Sequence, residues 1–441
     1  MLHKIYKEFT DACEIMKPKI LIMGGSLRNN LNPKEAKETI YKVENDTDLF
    51  QTIEYFCGQK MISNSEGCAL AAMYGAKSYA DIEYIDLKRY FHKDGSTSNI
   101  KELESCLKEA DGIIVSSPVY FGDRSSLVQS FFDLIKGKKS LVKGKAFGSL
   151  SVGAKRNGGQ ETTNIYALND ALNCGMIVSG NGPATAQYGG TAWAGDMGSI
   201  REDYFGLETC MGTGKKISQV AKILKLGNNK ENQKNIRISF WILQDKDGKM
   251  LQDINDLISY IDDDTVEFDI INVAKHTFHR CYACPICPAR IKEDVEYKCV
   301  ITKDDMKKLH KRLTSSDAVI FAGYSGNHGE KLESVYQTFL ERMRYLRRDR
   351  FRLTNKPIAA YVLEEFQTNA LFHIRILTSK IRHNTVVHKP LIRTLYKESR
   401  LEDDAVETLK SFVEVTKNIS QAKDQVDVGS LDYIPVGYKV K

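Results

Sequence analysis

The chain has 441 residues, of which 42% are hydrophobic and 27% charged, and its formal net charge is +6. A chain of this length is too long for a single hydrophobic core and predicts two domains of about 200 residues each. The charge is too mild for this length to indicate nucleic-acid binding. No apolar run approaches the roughly 20 residues that cross a bilayer, so neither nucleic acid nor membrane is expected as a partner.

The opening segment, MLHKIYKEFTDACEIMKPK, is polar and charged and has no apolar stretch of the kind that forms a signal peptide. We therefore expect a cytoplasmic protein, in which thiols stay reduced. Four of the ten cysteines fall within residues 281–299. In a reducing compartment, this density favours metal binding or redox chemistry over disulfides.

The first half of the chain alternates between strand and helix patterns. Strands are predicted at 19–25, 81–87, 111–120, 145–153 and 176–182, and helices at 65–76, 100–110, 127–135 and 161–175. Regular alternation of this kind predicts a parallel sheet with helices on both faces.

A polar stretch without periodicity, LGNNKENQKN (226–235), predicts a linker, after which the alternation restarts. Strands are predicted at 236–243, 266–273, 317–328 and 356–365, and helices at 253–261, 303–316, 331–346 and 395–415. The two halves look like divergent copies of one plan. We predict an α/β protein of two doubly wound parallel-sheet domains in tandem, covering residues 1–228 and 236–441.

Three loops follow strands of the first half, at the sheet edge where open parallel sheets bind ligands. In the first, GGSLRNN (24–30), glycines admit a phosphate close to the backbone, Ser26 and Asn30 donate hydrogen bonds, and Arg28 adds charge. A plain glycine-rich turn is the structural alternative. The second loop, SSPVYFGD (116–123), offers aromatic faces to a flat ring, unless they are packed in the core. The third, SVGAKRNGGQETT (151–163), is rich in glycine.

In this order, the loops resemble those of flavodoxin-like NAD(P)H-dependent FMN reductases and iron–sulfur flavoproteins, over about residues 19–225. The resemblance implies an FMN phosphate on the first loop and an isoalloxazine ring between the other two, with a late loop, 186–198, close to the ring. The residues so implied are Ser26, Arg28, Pro118, Val119, Tyr120, Phe121, Gly122, Gly158, Gly159, Gln160, Glu161, Tyr188 and Gly189, together with Trp193; the first loop itself adds Asn30 as a phosphate donor.

One departure from the family pattern is an insertion, residues 31–62, between the phosphate loop and the helix that should follow it. Either Ser63 and Ser65 cap that helix and complete the phosphate site, or the insertion displaces it. The insertion itself is expected to be a lid, a dimer element or a surface excursion without a role.

The four cysteines of the second half are Cys281, Cys284, Cys287 and Cys299. A C-x2-C-x2-C run with a distant fourth cysteine suits a [4Fe–4S] cluster, whereas structural zinc more often takes two separated C-x2-C pairs. Zinc and small buried thiols without metal remain as alternatives. The family carries such a loop after the second strand, but here residues 88–99 contain no cysteine. The second domain lacks a phosphate loop and is expected to be a degenerate flavodoxin-like copy that carries the cysteines.

Two further groups of charged or polar residues need a structural explanation. The arginine-rich run ERMRYLRRDRFR (341–352) predicts an exposed helix end, with a docking face for an acidic electron carrier as the alternative. His373, His383 and His388 match no metal spacing and are expected at the surface or in packing.

The function predicted from these features is that of an FMN-dependent oxidoreductase. It would pass electrons from NAD(P)H or a protein donor to a small acceptor, either directly or through a cluster. No catalytic side chain is assigned, because the cofactor carries the chemistry. The alternative is an electron-transfer module that serves a partner enzyme. A homo-oligomer is expected from the family, unless the fused second copy replaces a partner subunit.

Overall fold

The computed structural model describes residues 17–184, 186–228, 234–284, 286–326, 332–365, 372–394 and 404–433. The chain divides into two compact units, Met1–Asn229 with Gln425–Val428 and Lys230–Asp424 with Gly429–Lys441. Across the ranges just given, no helix has both the length and the apolar character needed to cross a membrane.

The first unit contains six strands and seven α-helices within its described residues. The strands are β1 (Lys19–Gly24), β2 (Asp81–Asp86), β3 (Gly112–Pro118), β4 (Ala146–Gly153), β5 (Ile177–Val178) and β6 (Gly190–Trp193). The helices are α1 (Pro33–Lys42), α2 (Asp46–Gln59), α3 (Asn64–Ala76), α4 (Ile100–Glu109), α5 (Ser126–Lys136), α6 (Gln160–Asn173) and α7 (Tyr204–Asn228). Short 3-10 turns lie at Leu87–Arg89, Lys139–Leu141 and Ser199–Glu202.

The strands of this unit pair in parallel in the order β2-β1-β3-β4-β5, and β6 continues beside the carboxyl end of β4. This is the doubly wound order of the flavodoxin fold, whose ligands bind beyond the carboxyl ends of the strands. The sequence prediction of an α/β parallel-sheet fold is confirmed.

Helix α3 packs tightly against helix α7, and this contact fixes its position. Nearly all of its side chains are buried. A Cβ atom on Gly214 would lie 1.9 Å from the carbonyl oxygen of Ala72, and one on Gly75 would lie 2.0 Å from that of Met211. Glycine therefore allows α3 and α7 to touch backbone to backbone, which holds the amino end of α3 at the sheet edge.

The second unit repeats the plan of the first. Its described strands are β7 (Ile236–Gln244), β8 (Val266–Asn272), β9 (Ala318–Ser325), β10 (Pro357–Glu364), β11 (Val386–Val387) and β12 (Leu391–Thr394). Its described helices are α8 (Lys249–Ile258), α9 (Ile286–Ala289), α10 (Met306–Ser315), α11 (Leu332–Arg342), α12 (Arg344–Arg348), α13 (Phe372–Ile381) and α14 (Asp404–Ala422). 3-10 turns lie at Val273–Lys275, Arg290–Lys292 and Lys423–Gln425.

The strands of the second unit pair in the order β8-β7-β9-β10-β11, with β12 beside β10, and all of these pairs are parallel. Each face formed by these strands is covered by a hydrophobic layer. Trp241 and Phe321 point into one layer, while Phe240 and Ile320 point into the other. Strands buried on both faces account for the continuous apolar runs in the sequence.

Some predicted boundaries are wrong or lie outside the described residues. The helix predicted at 253–261 runs from Lys249 to Ile258, because Gly248 adopts a left-handed conformation before it and Asp245 accepts a hydrogen bond from the Met250 amide at 3.0 Å. Helix α7 extends to Asn228, into the predicted linker. The linker residues 229–233 and residues 395–403 of the predicted closing helix lie outside the described residues; the described part of that helix runs to Ala422.

Candidate functional site

A cavity of about 200 Å³ lies beyond the carboxyl ends of β1, β3 and β4. The lining residues come from five separate stretches of the chain: Ser26 and Arg28; Ser63, Asn64 and Ser65; Pro118, Val119 and Tyr120; Val152 and Ala154; and Ala194, Gly195 and Met197. Whole small-molecule pockets usually enclose about 300–1,000 Å³. The volume of the cavity is therefore sufficient for one end of a nucleotide-sized ligand.

Three serines and the amino end of a helix line this cavity. Ser63 is the N-cap of α3, and its hydroxyl lies 3.1 Å from that of Ser65. Ser26 is buried in the loop after β1 and accepts a hydrogen bond from the Arg28 amide at 3.1 Å. The insertion does not displace the helix, since its N-cap and the phosphate loop line the same cavity. Hydroxyls at the positive end of a 13-residue helix suit a phosphate group.

Arg28 supplies the positive charge at the same end of the cavity. Its side chain is exposed and forms no ion pair with the part of the chain that the structure describes. An unpaired guanidinium next to a helix amino end fits the charge of a phosphate. The donor set therefore fits the phosphate end of FMN.

Asn30, also predicted to contact phosphate, does not line the cavity. Its side-chain amide donates to the carbonyl of Lys60 at 2.8 Å, and its backbone amide donates to the carboxylate of Glu66 at 2.9 Å. Glu66 is fully buried, and burial raises its pKa, although backbone donors favour the charged form. The side chain of Asn30 thus links the two ends of the insertion, by bonding to Lys60.

The predicted ring-flanking loop after β3 forms a tight turn. The backbones of Tyr120 and Asp123 exchange hydrogen bonds of 2.7 and 3.0 Å across Phe121 and Gly122, which both have positive φ. The side chain of Phe121 is completely exposed, and Tyr120 is more than half exposed. These aromatics are therefore not tucked into the core, as the structural alternative would require.

The third predicted loop touches the second. A Cβ atom on Gly159, which has φ +99°, would lie 2.7 Å from the Cα of Gly122. Gln160 is buried, accepts from the Gly158 amide at 2.8 Å and donates to the carbonyl of Ala192 at 3.0 Å. Its side chain therefore supports the loop from inside. The neighbouring Glu161 is exposed in the first turn of α6.

The late loop contributes to the cavity at other residues than those predicted. Gly189 is buried, and a Cβ atom there would lie 2.1 Å from the Ser149 carbonyl. Tyr188 is half-buried, and like Gly189 it does not line the cavity. Ala194, Gly195 and Met197 line it instead.

Two polar side chains attach this late loop to the rest of the site. Asn64 donates to the Asp196 carbonyl at 2.9 Å and accepts from the Gly198 amide at 2.9 Å. The buried Asp203 accepts from the Trp193 amide at 2.8 Å and forms an ion pair with Arg156. The bond from Asn64 to Asp196 spans 132 residues of sequence, and the pair of Asp203 with Arg156 spans 47. The sequence gives one usable signal for the region, the capping-box pattern SNSE at 63–66.

A second cavity, of about 540 Å³, lies where the family pattern would place a cysteine loop. It is bounded by residues 91–100 and by helix α5. The segment is closed by an antiparallel bridge between Phe91 and Thr97, and His92 lies 2.7 Å from the Ser98 hydroxyl. It contains none of the predicted flavin contacts.

The four cysteines of the second unit are free and half-buried. The backbone amide of Ala283 donates to the sulfur of Cys281 at 3.4 Å, and Arg348 donates to that of Cys287 at 3.2 Å. Among the described residues, no three Cys, His, Asp or Glu side chains come together in a group that holds a metal ion. Four thiols are a suitable donor set for iron, but their described arrangement does not form a closed ligand shell.

The arginine-rich run is not simply an exposed helix end, because Arg342 is buried. It forms an ion pair with Asp304 in which both side chains are fully shielded from solvent, and it donates to the carbonyl of His279 at 3.0 Å and the hydroxyl of Tyr297 at 2.7 Å. Arg344 and Arg350 are exposed. The prediction of a solvated run is wrong for Arg342, since it lies on the inner face of its helix.

The fold, the cavity and the three loops define a flavodoxin-like nucleotide-binding unit. A family model described as NADPH-dependent FMN reductase matches residues 18–189. An iron–sulfur flavoprotein of Methanocaldococcus jannaschii is 41% identical over 129 residues, which are 29% of this chain and 67% of that protein. An iron–sulfur flavoprotein of Methanosarcina thermophila is 29% identical over 216 residues, 48% of this chain and 100% of that protein.

A third relative is an NAD(P)H dehydrogenase (quinone) of Chromohalobacter salexigens, 31% identical over 144 residues, which are 30% of this chain and 72% of that protein. The chain therefore belongs to the family of flavodoxin-like FMN reductases and iron–sulfur flavoproteins. It is a flavin-dependent oxidoreductase, as the sequence predicted.

Proposed function

We propose that the first unit binds FMN at this cavity and transfers electrons from NAD(P)H, or from a protein donor, to a small acceptor. When bound, FMN would supply the redox chemistry, because a flavin can take up a hydride and give up its electrons in pairs or singly. The side chains of the first unit would bind and orient the flavin and shield it from water. The observation that carries the proposal is the convergence of Ser26, Arg28, Ser63 and Ser65 on one cavity, beside the turn formed by residues 118–122.

Each group in this arrangement has a proposed task. The Ser26 and Ser65 hydroxyls and the amino end of α3, which Ser63 caps, would hold the phosphate, and Arg28 would neutralise its charge. The loops that meet at Gly122 and Gly159 would lie against the ring, where backbone amides and the exposed Tyr120 offer polar and flat surfaces. Gln160 and Asp203 would hold those loops in place.

Titration of purified protein with FMN and with riboflavin, which lacks the phosphate, tests the proposal. The Arg28→Ala variant should weaken FMN binding roughly tenfold to a hundredfold, because one charge-assisted hydrogen bond is lost. Riboflavin binding should change little. Arg89→Ala, at an exposed arginine of the same unit, is the matched control. Protein that binds neither flavin, or an Arg28→Ala variant that keeps full FMN affinity, would contradict the proposal.

The second candidate is an electron-transfer module without a small substrate of its own. It is favoured by the arginines near the cysteine loop, since exposed Arg344 and Arg350 suit an acidic protein carrier. Steady-state oxidation of NADH and NADPH with quinones or free flavin distinguishes the two. Rapid turnover supports the enzyme, whereas reduction only by a ferredoxin-type protein supports the module.

We further propose that Cys281, Cys284, Cys287 and Cys299 ligate a [4Fe–4S] cluster when the loop closes around it. The four-thiolate donor set and the names of the iron–sulfur flavoprotein relatives support this. Iron, zinc and acid-labile sulfide analysis of anaerobically purified protein tests it. Zinc in place of iron, or no metal at all, would reject the cluster.

A further inference from the structure

The two ends of the insertion meet at one buried carboxylate. Glu66, which is 0% exposed, accepts hydrogen bonds from the backbone amides of Leu31 at 2.7 Å and Ser63 at 2.8 Å. Both of its oxygens lie 2.9 Å from the Asn30 amide. One side chain therefore joins the residues that precede and follow residues 32–62.

These hydrogen bonds connect the phosphate loop to the helix end. Asn30 and Leu31 follow directly on Arg28 and Asn29, and Ser63 is the N-cap of α3. The Ser63 hydroxyl completes the connection, since it donates to the side chain of Asn29 at 2.7 Å. The same hydroxyl accepts from the Glu66 amide at 3.2 Å. The cap and the loop therefore share a single hydrogen-bonded network.

This network links the insertion to the phosphate end of the cavity. Of the described residues that line the cavity, none lies between 31 and 62, and Glu66 itself does not line it. Without an acceptor at Glu66, three backbone amides at the base of the insertion would lose their partner, and each such loss is costly in a buried position. The separation of Ser63 and Ser65 from Ser26 and Arg28 would then be free to change.

We infer that Glu66 is a positioning residue for the ligand's phosphate, and that it assembles the phosphate site across the 31–62 insertion. The inference rests on the proposed function, because it takes the phosphate of FMN as the group bound there. Glu66 does not touch the ligand; it holds the two halves of the phosphate site together.

The test compares FMN with riboflavin in the full-length chain. Glu66→Gln keeps the size of the side chain but turns one acceptor oxygen into an amide donor facing backbone N–H groups. FMN affinity should fall at least tenfold, whereas riboflavin affinity should change less than twofold. Glu54→Gln makes the same chemical change at an exposed residue of the insertion and should leave both affinities unchanged.

A role in folding alone would lower the two affinities equally, and that result would overturn the inference, as would unchanged FMN binding. If Glu66→Gln does not fold, Glu66→Asp replaces it, because aspartate keeps the charge but shortens the side chain by one methylene. Its loss of FMN affinity is then compared with its loss of riboflavin affinity in the same way. Wild-type protein that binds FMN no more tightly than riboflavin would reject the phosphate site itself, and that failure is visible before any variant is made.

Discussion

Gly159 and Gly122 bring the two predicted ring-flanking loops into direct contact, since a Cβ atom on Gly159 would lie 2.7 Å from the Cα of Gly122. Gly159 also has a φ of +99°, which side-chain-bearing residues rarely adopt. The positions of both loops therefore depend on the absence of a side chain at residue 159.

Gly159→Ala should separate the loops and weaken FMN binding by at least tenfold, as measured by fluorescence titration. Gly144→Ala is the matched control, because Gly144 also has a positive φ (+78°) but nothing lies within 4 Å of its Cβ position. Each variant carries a backbone strain of about 1–2 kcal/mol. Equal FMN affinities in the two variants would show that the loop contact has no part in binding.

Asp203→Asn should destabilise the late loop. The buried carboxylate pairs with Arg156 and accepts from the amides of Trp193 and Gly206. The partly exposed Arg156 is screened by solvent, so we expect a loss of about 1–3 kcal/mol in the free energy of unfolding, measured with urea. Asp196→Asn, at an exposed residue of the same loop, should have no effect. An unchanged free energy of unfolding in Asp203→Asn would show that this network is not needed for stability.

Lys380→Met should stabilise the second unit. The Lys380 amine is fully buried against the sulfur of Met343 and over the ring of Phe321, without an ion pair to any described residue, and burial holds its pKa well below the usual range. A methionine of similar length removes the desolvated amine, and we expect a gain of about 1–3 kcal/mol. Lys311→Met, at an exposed site, is the control. Destabilisation by Lys380→Met alone would indicate that the amine has a favourable role.

Stability should rise with pH because of Lys356, whose pKa is lowered to about 7 by burial. The unfolded side chain titrates near 10.5, so between pH 7 and 10.5 the unfolded chain binds more protons, and raising the pH favours the folded state. Urea unfolding from pH 7 to 9.5 should give a smaller slope for Lys356→Met, by up to about 1 kcal/mol per pH unit. Parallel slopes would mean that Lys356 is charged in the folded protein.

Arg342→Met should cost about 3–5 kcal/mol, because it leaves Asp304 buried without its charge partner. The double variant Arg342→Met with Asp304→Asn removes the unpaired charge and should recover part of this loss. Urea unfolding of the single and the double variant measures their free energies of unfolding. A double variant less stable than the single one would contradict the buried ion-pair account.

The sequence predicted the sheet well because buried parallel strands are continuous apolar runs, as in the ILIMG part of β1. It also placed Ser26, Arg28 and Pro118–Tyr120 at the sheet edge, where they line one cavity. The Glu66 network and the Asp203–Arg156 pair were not predicted, since each joins segments 35 or more residues apart. Arg342 was misjudged because its partner, Asp304, lies 38 residues away and a charge run does not reveal which residue faces inward.

A crystal structure of the full chain grown with excess FMN would show whether the first unit holds the cofactor. We expect density for the flavin phosphate between Ser26, Arg28, Ser63 and Ser65, with the ring against the turn at 118–122. An unoccupied cavity in the first unit, or FMN bound only in the second, would contradict it.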